Sequence, residues 1–169
     1  EKKYPAIISA HPIGSCKEQT SGSVYGAALA KAGFIVIAFD ASFQGSSGGE
    51  PRYLEDPTMR VKDFIIVVDY LTTLPYVDAG RIGVLGICGG GAINAAMTER
   101  RIKAIGTVTG ANYGRLMREG FTAFNPIGAL EAMAQQRTDE ANGAKLRVDD
   151  LLPSSPEAAL EAGLTEIDL

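Results

Sequence analysis

Four short apolar runs, each passing directly into a loop and each separated from the next by a long intervening stretch, restrict this chain to a few architectures. The runs are residues 5–10 (PAIISA), 34–39 (FIVIAF), 81–87 (RIGVLGI) and 102–108 (IKAIGTV). They lack the in–out alternation of a half-exposed antiparallel strand. The stretches between them leave room for crossover helices, so the runs are expected to pair in parallel with helices over both faces. All four strands are therefore expected to be covered on both sides.

The helical patterns support this arrangement. Val24, Tyr25, Ala28, Leu29 and Ala32 mark one face over residues 23–32, and Gly33 stands where a helix C-cap belongs. Asp56-Pro57 opens the clearest helix, with Asp as N-cap and Pro at the first helical position. Val61, Phe64, Ile65, Val68 and Leu71 then form a buried stripe that ends before Pro75. A small-residue helix is expected from Ala92 to about Arg100. Beyond Asn112 the pattern weakens into helix-prone segments broken by Asn125-Pro126, Asn142-Gly143 and the stretch from Pro153 to Pro156. The expected organisation is an α/β core over residues 1–112 and a helical cap or lid segment over 113–169. The fold class is three-layer α/β/α with a mainly parallel sheet.

The chemistry concentrates at Gly86-Ile87-Cys88-Gly89-Gly90, between the third strand and a helix. This is the spacing of a nucleophile elbow with cysteine in the central place. A nucleophile in a sharp strand-to-helix turn needs small neighbours, because larger side chains would strike the adjoining strand and helix. The turn lifts the sulfur to the sheet's edge, where the positive end of the following helix favours a thiolate. The N–H of Gly89 would then face a developing oxyanion. Two other readings stay open at this point. Cysteine at a buried strand end is often a small hydrophobe. A glycine-rich turn of this kind also binds pyrophosphate in dinucleotide folds. In that fingerprint Cys88 would occupy the place of the second glycine, and no G-K-[ST] sequence marks a P-loop.

Two more loops leave the same edge. His11-Pro12-Ile13-Gly14-Ser15 follows the first strand, where a second oxyanion donor is expected; Pro12 has no N–H, so the donor is Ile13. Asp40 to Gly48 follows the second strand, and Asp40 is expected to brace that loop. Lys17, Glu18 and Gln19 read as a solvated loop, and Cys16 as an inert thiol.

These three features, in this order, resemble the α/β-hydrolase superfamily, and the cysteine makes the chain most similar to its dienelactone hydrolase-like branch. The likeness covers about residues 4–112. It implies that Cys88 is the nucleophile, that Gly89 and Ile13 supply the oxyanion N–H groups, and that His11 and Gly14 lie in the substrate loop. It also implies an acid and then a histidine in loops after later strands. No histidine follows Cys88, and the single one is His11. Asp139, Asp149, Asp150 and Asp168 lie in the lid-like tail, and none is assigned as the acid. With strand-like sequence at Glu1 and a helix-prone stretch at Leu169, both ends are expected to be cuts, and the chain to be inactive alone.

The expected function is hydrolysis of a carboxylic ester, thioester or lactone through Cys88, on a small-molecule substrate and without a cofactor. The alternative is a non-catalytic α/β binding domain, or a Rossmann-like nucleotide-binding one. A formal net charge of -4 gives no electrostatic reason to expect nucleic acid or an anionic membrane. Two cysteines are too few for a disulfide framework, which favours a cytoplasmic setting. No Cys/His cluster has zinc spacing.

Overall fold

The computed structural model describes residues 2–88, 91–119, 125–148, 153 and 155–161. Contacts divide the chain into Glu1–Asn112 and Tyr113–Leu169. The first unit holds a parallel sheet of four strands, β1 (Tyr4–Ala10), β2 (Ile35–Phe39), β3 (Val77–Ile87) and β4 (Ile102–Val108), in the order β2-β1-β3-β4. Helices lie on both sides of this sheet. The register aligns Phe39, Ala10, Gly86 and Thr107 across the sheet. The loops after all four strands therefore leave one common edge, where open α/β sheets bind ligands.

The chain between β1 and β2 departs from the expected single α-helix. It forms a π-helix, Thr20–Gly26, followed by a short α1 (Ala27–Lys31). Glycine permits the wider turn. A Cβ on Gly22 would lie 2.2 Å from the carbonyl oxygen of Lys17, and one on Gly26 2.8 Å from that of Ser21, each five residues earlier. The carbonyl of Ser21 accepts the buried Ser9 hydroxyl at 2.8 Å. Gly33, at φ 97, closes the segment as expected of a C-cap glycine.

Helix α2 (Pro57–Thr73) begins on its expected cap: the Asp56 carboxylate accepts the N–H groups of Thr58 at 2.8 Å and Met59 at 3.3 Å. Phe64, Val68 and Leu71 are buried in the core with Ile8, Ile82 and Val84. Phe64 meets Phe39 edge-on at 5.7 Å. Each such side chain contributes about 1.5–3 kcal/mol by leaving water. Arg60 and Asp63 are buried on the same helix, where the apolar stripe alone was expected.

Helix α3 (Ala92–Thr98) leads into β4, and here the expected two-sided cover fails. Five successive residues of β4, Lys103 to Thr107, are exposed, Ile105 to 48%. Among the described residues β4 pairs with β3 alone, and the short α3 is the helix that packs on it most. An apolar run reads the same at a sheet's edge as at its centre.

Glu99 ties this corner together. Its carboxylate accepts the Arg101 N–H and Nε at 2.9 Å and Nη2 at 2.6 Å, while Arg101 Nη1 reaches Asp69 of α2 at 2.7 Å. The Arg101 guanidinium holds the Glu99 carboxyl down at about 2, from an ordinary 4.5, against the opposing effect of burial. A depressed folded-state value means that this stabilisation is complete above pH 4.5 and is lost as the pH falls toward 2. Glu99→Gln is therefore expected to be less stable at neutral pH and to show a shallower loss of stability through that acid window. Denaturant melts followed by circular dichroism across the window measure both effects.

In the second unit, α4 (Tyr113–Glu119), α5 (Pro126–Ala141) and α6 (Pro156–Glu161) are the helices described. The Asn125 side chain caps α5 by accepting the Gly128 N–H at 3.1 Å. The helix ends in a Schellman turn, with Gly143 at φ 98 and bonds from Gly143 N–H to Glu140 and Ala144 N–H to Asp139. No helix among the described residues is long and apolar enough to cross a membrane.

Candidate active site

Cys88 leaves β3 with φ 57, in the left-handed region, with its side chain partly buried. That conformation costs a residue with a Cβ about 1–2 kcal/mol. The strand neighbours hold it there: Cys88 N–H donates to Val108 at 2.8 Å, and the Cys88 carbonyl accepts from Ala111 at 3.3 Å. The need for small residues around the turn is direct. A Cβ on Gly86 would stand 2.7 Å from the Cβ of Ala92, the first residue of α3. Gly91 has φ 74, and a Cβ there would press on Arg60 and Phe64 at 3.3 and 3.4 Å. Gly89, the expected donor, lies outside the described residues.

The loop after β1 is fixed from below by His11, which is 1% exposed. Its Nε2 accepts the Ala41 N–H at 3.1 Å, so the proton sits on Nδ1, which donates to the Pro12 carbonyl at 2.7 Å. Burial pushes the imidazole below its ordinary value of 6.5; the bond to Pro12 opposes this and the Arg60 charge adds to it. His11 is thus a neutral brace with both ring nitrogens engaged inside the protein.

The brace also sets the direction of the next amide. The Pro12–Ile13 peptide is trans, so its N–H points opposite to its carbonyl. Because the carbonyl turns to the buried His11 ring, the Ile13 N–H turns away from it. No protein acceptor among the described residues takes that N–H. Gly14 follows at φ 74 and is exposed. Ile13 and Cys88 thus leave neighbouring strands at the same edge.

Asp40 braces the loop after β2. Its carboxylate accepts the Lys17 N–H at 2.8 Å, Lys17 Nζ at 2.6 Å and the Ser46 N–H at 2.9 Å. Burial alone would raise the Asp40 carboxyl, but the Lys17 ammonium and the two N–H groups outweigh it and hold the group below its ordinary value. Lys17, expected to be solvated, is in this way a tie between two loops. Gly45 lies against the same carboxylate, its would-be Cβ 2.4 Å from Asp40 Cγ. Gln19 bonds Ser15 and the Cys16 N–H within its own loop. Cys16 and Cys88 are both thiols.

Three more residues stand behind these loops without having been singled out from the sequence. The Arg60 guanidinium donates to the His11 carbonyl at 3.0 Å and pairs with both carboxylate oxygens of Glu55. Asp63 accepts the Ser42 N–H at 2.8 Å and hydroxyl at 2.6 Å. Arg60 lies one turn before Phe64, and that spacing is the sequence signal that places it on the buried face. Two surface depressions, one lined by Val61 and Asn94 and one by Ser42 and Ile66, involve neither Cys88 nor Ile13. No cluster of three His, Cys, Asp or Glu residues among those described could hold a metal ion. Asp139 accepts from Gln135 on α5; Asp149, Asp150 and Asp168 lie outside the described residues.

The sheet order, the sharp turn after β3 and the helices on both sides define an α/β-hydrolase core, the superfamily the sequence resembles. The chain belongs to the X-Pro dipeptidyl-peptidase (S15) family, whose model matches residues 1–153. It is 46% identical to YcjY of Escherichia coli (strain K12) over 158 residues, 90% of this chain and 51% of that protein. It is 32% identical to thiohydrolase aneE of Aspergillus aculeatus over 110 residues, 62% of this chain and 33% of that one. The crystal structure of hypothetical protein PA2218 from Pseudomonas aeruginosa superposes with a TM-score of 0.80 at 35% identity, over 95% of this chain and 53% of that one. The α/β hydrolase GrgF from Penicillium sp. sh18 shares the fold, with a TM-score of 0.67 at 20% identity over 98% of this chain and 55% of that one. The chain thus spans about half the length of YcjY and of these two structures.

Proposed function

We propose that this chain carries the nucleophile and the oxyanion donors of an acyl-hydrolase site acting on thioesters, esters or lactones. The observation that carries this reading is the left-handed backbone at Cys88, φ 57, at the common edge of a parallel sheet. Strain of that kind persists where the surrounding structure enforces it, and it collects at reacting residues.

The chemistry follows from the placement. Cys88 Sγ attacks the carbonyl carbon, and the carbonyl electron pair moves onto oxygen. The N–H groups of Ile13 and Gly89 receive that charge, each donor lowering the barrier by about 3 kcal/mol. Collapse of the intermediate expels the alcohol or thiol, which takes up the proton Cys88 gave up. Water then cleaves the acyl–cysteine bond and releases the acid. The single histidine is the engaged brace His11, so it is not the group that carries the proton. Similarity to a thiohydrolase supports an activated acyl group rather than an amide.

The test uses the full-length protein with p-nitrophenyl acetate, an acetyl thioester and Ala-Pro-p-nitroanilide. The first two are expected to turn over and to leave a trapped acetyl group on the Cys88 peptide by mass spectrometry. Turnover of the nitroanilide alone, or an acetyl group on another residue, refutes the proposal.

A further inference from the structure

We infer that Arg60 is a positioning residue for the oxyanion loop, its guanidinium holding the His11 carbonyl while its aliphatic stem seats the Gly91 turn behind the nucleophile. The inference rests on the reading of Cys88 as nucleophile and Ile13 as donor. Arg60 is 5% exposed, and it reaches both the His11 carbonyl and the space over Gly91. Nη1 donates to His11 at 3.0 Å, and Nη2 donates to Glu55 Oε2 at 2.8 Å with Nε on the other oxygen. A planar, doubly paired guanidinium has one orientation, which lysine or methionine would not reproduce. Its stem defines the space at Gly91, where an added Cβ would meet Arg60 Cβ at 3.3 Å.

The His11 carbonyl belongs to the peptide immediately before the one that carries the Ile13 N–H, and the His11 ring holds the carbonyl of that second peptide. One side chain therefore sets the distance between the oxyanion donor and the elbow. An apolar residue often replaces a buried ion pair at no loss of stability, so stability alone gives no reason for a charge at this depth.

The test compares Arg60→Met and Glu55→Gln with the parent in the full-length protein, on p-nitrophenyl acetate. A misplaced donor loosens the transition state and not the ground state. Arg60→Met is expected to lower kcat by about 10–100-fold, with KM held within about twofold. Glu55→Gln, which keeps the arginine but weakens its hold, is expected to lower kcat by about 3–10-fold with the same KM pattern. Alkylation of Cys88 by iodoacetamide should proceed at the parent rate in both, because that reaction uses no oxyanion donor. If Arg60→Met does not fold, Glu55→Gln decides the matter. A kcat within about twofold of the parent in the folded variants, with Cys88→Ala inactive, overturns the role of Arg60 alone. An active Cys88→Ala variant removes the nucleophile reading and this inference with it.

Discussion

Replacing Cys88 by alanine is expected to lower kcat/KM for a small activated ester by on the order of 10,000-fold or more, while the thermal midpoint barely moves. The activity loss follows because Cys88 is followed by three glycines, so the turn offers no other sulfur or hydroxyl. The near-constant stability follows from the backbone. Alanine at φ 57 carries the same left-handed strain as cysteine, and the side chain it shortens is only partly buried. Cys88→Gly separates the two effects further. It removes the sulfur and relieves about 1 kcal/mol of strain, so an inactive protein that is at least as stable as the parent is expected. Steady-state kinetics and calorimetry on both variants check this. Retained hydrolysis in Cys88→Ala would refute the assignment.

Gly86→Val is expected to destabilise the fold by about 3 kcal/mol, a fall in Tm on the order of 10 °C. Alanine would already bring its Cβ to 2.7 Å from the Cβ of Ala92, and valine adds two methyl groups in the same space. Ala92 begins α3 and is buried, so relief requires the helix to move away from the end of β3. That movement drags Gly91 from the Arg60 stem and disturbs the turn at Cys88. The folded fraction should therefore lose activity beyond what its reduced population explains. Calorimetry together with activity normalised to folded protein distinguishes the two losses. A variant as stable as the parent would show that α3 yields at Ala92 without cost and would overturn the packing argument.

The parallel sheet is legible in the sequence because continuous apolar runs and intervening helical faces recur, and Asp56-Pro57 announces its helix at the right residue. The sharp turn at Cys88 is legible from glycine spacing, since Gly86 permits only a hydrogen where Ala92 approaches. Other features are hidden for identifiable reasons. Arg60 and Asp63 carry charge, and charge on a helix reads as a solvent face until a partner such as Glu55 or Ser42 is known. Those partners lie in a loop that no periodicity describes. The π-helical turn is written only in Gly22 and Gly26, which a hydropathy pattern treats as gaps. The exposure of β4 is invisible because burial is decided by what stands beside a strand, and Ile105 has the same chemistry with or without a neighbour.

The placement of β1 between β2 and β3 also has a kinetic consequence. The β1–β2 pair joins segments separated by one short crossover, but β1 meets β3 only after the whole of α2 has been made. Distant pairings of this kind are slow, since the intervening chain must be closed before they give any return. During synthesis the first two strands can associate early, yet the edge that carries Ile13 stays half-built until Ile82 to Gly86 docks beside Ala6 to Ala10. The edge that carries Ile13 is thus completed in a single late event, and any variant that slows the docking of β3 delays that completion.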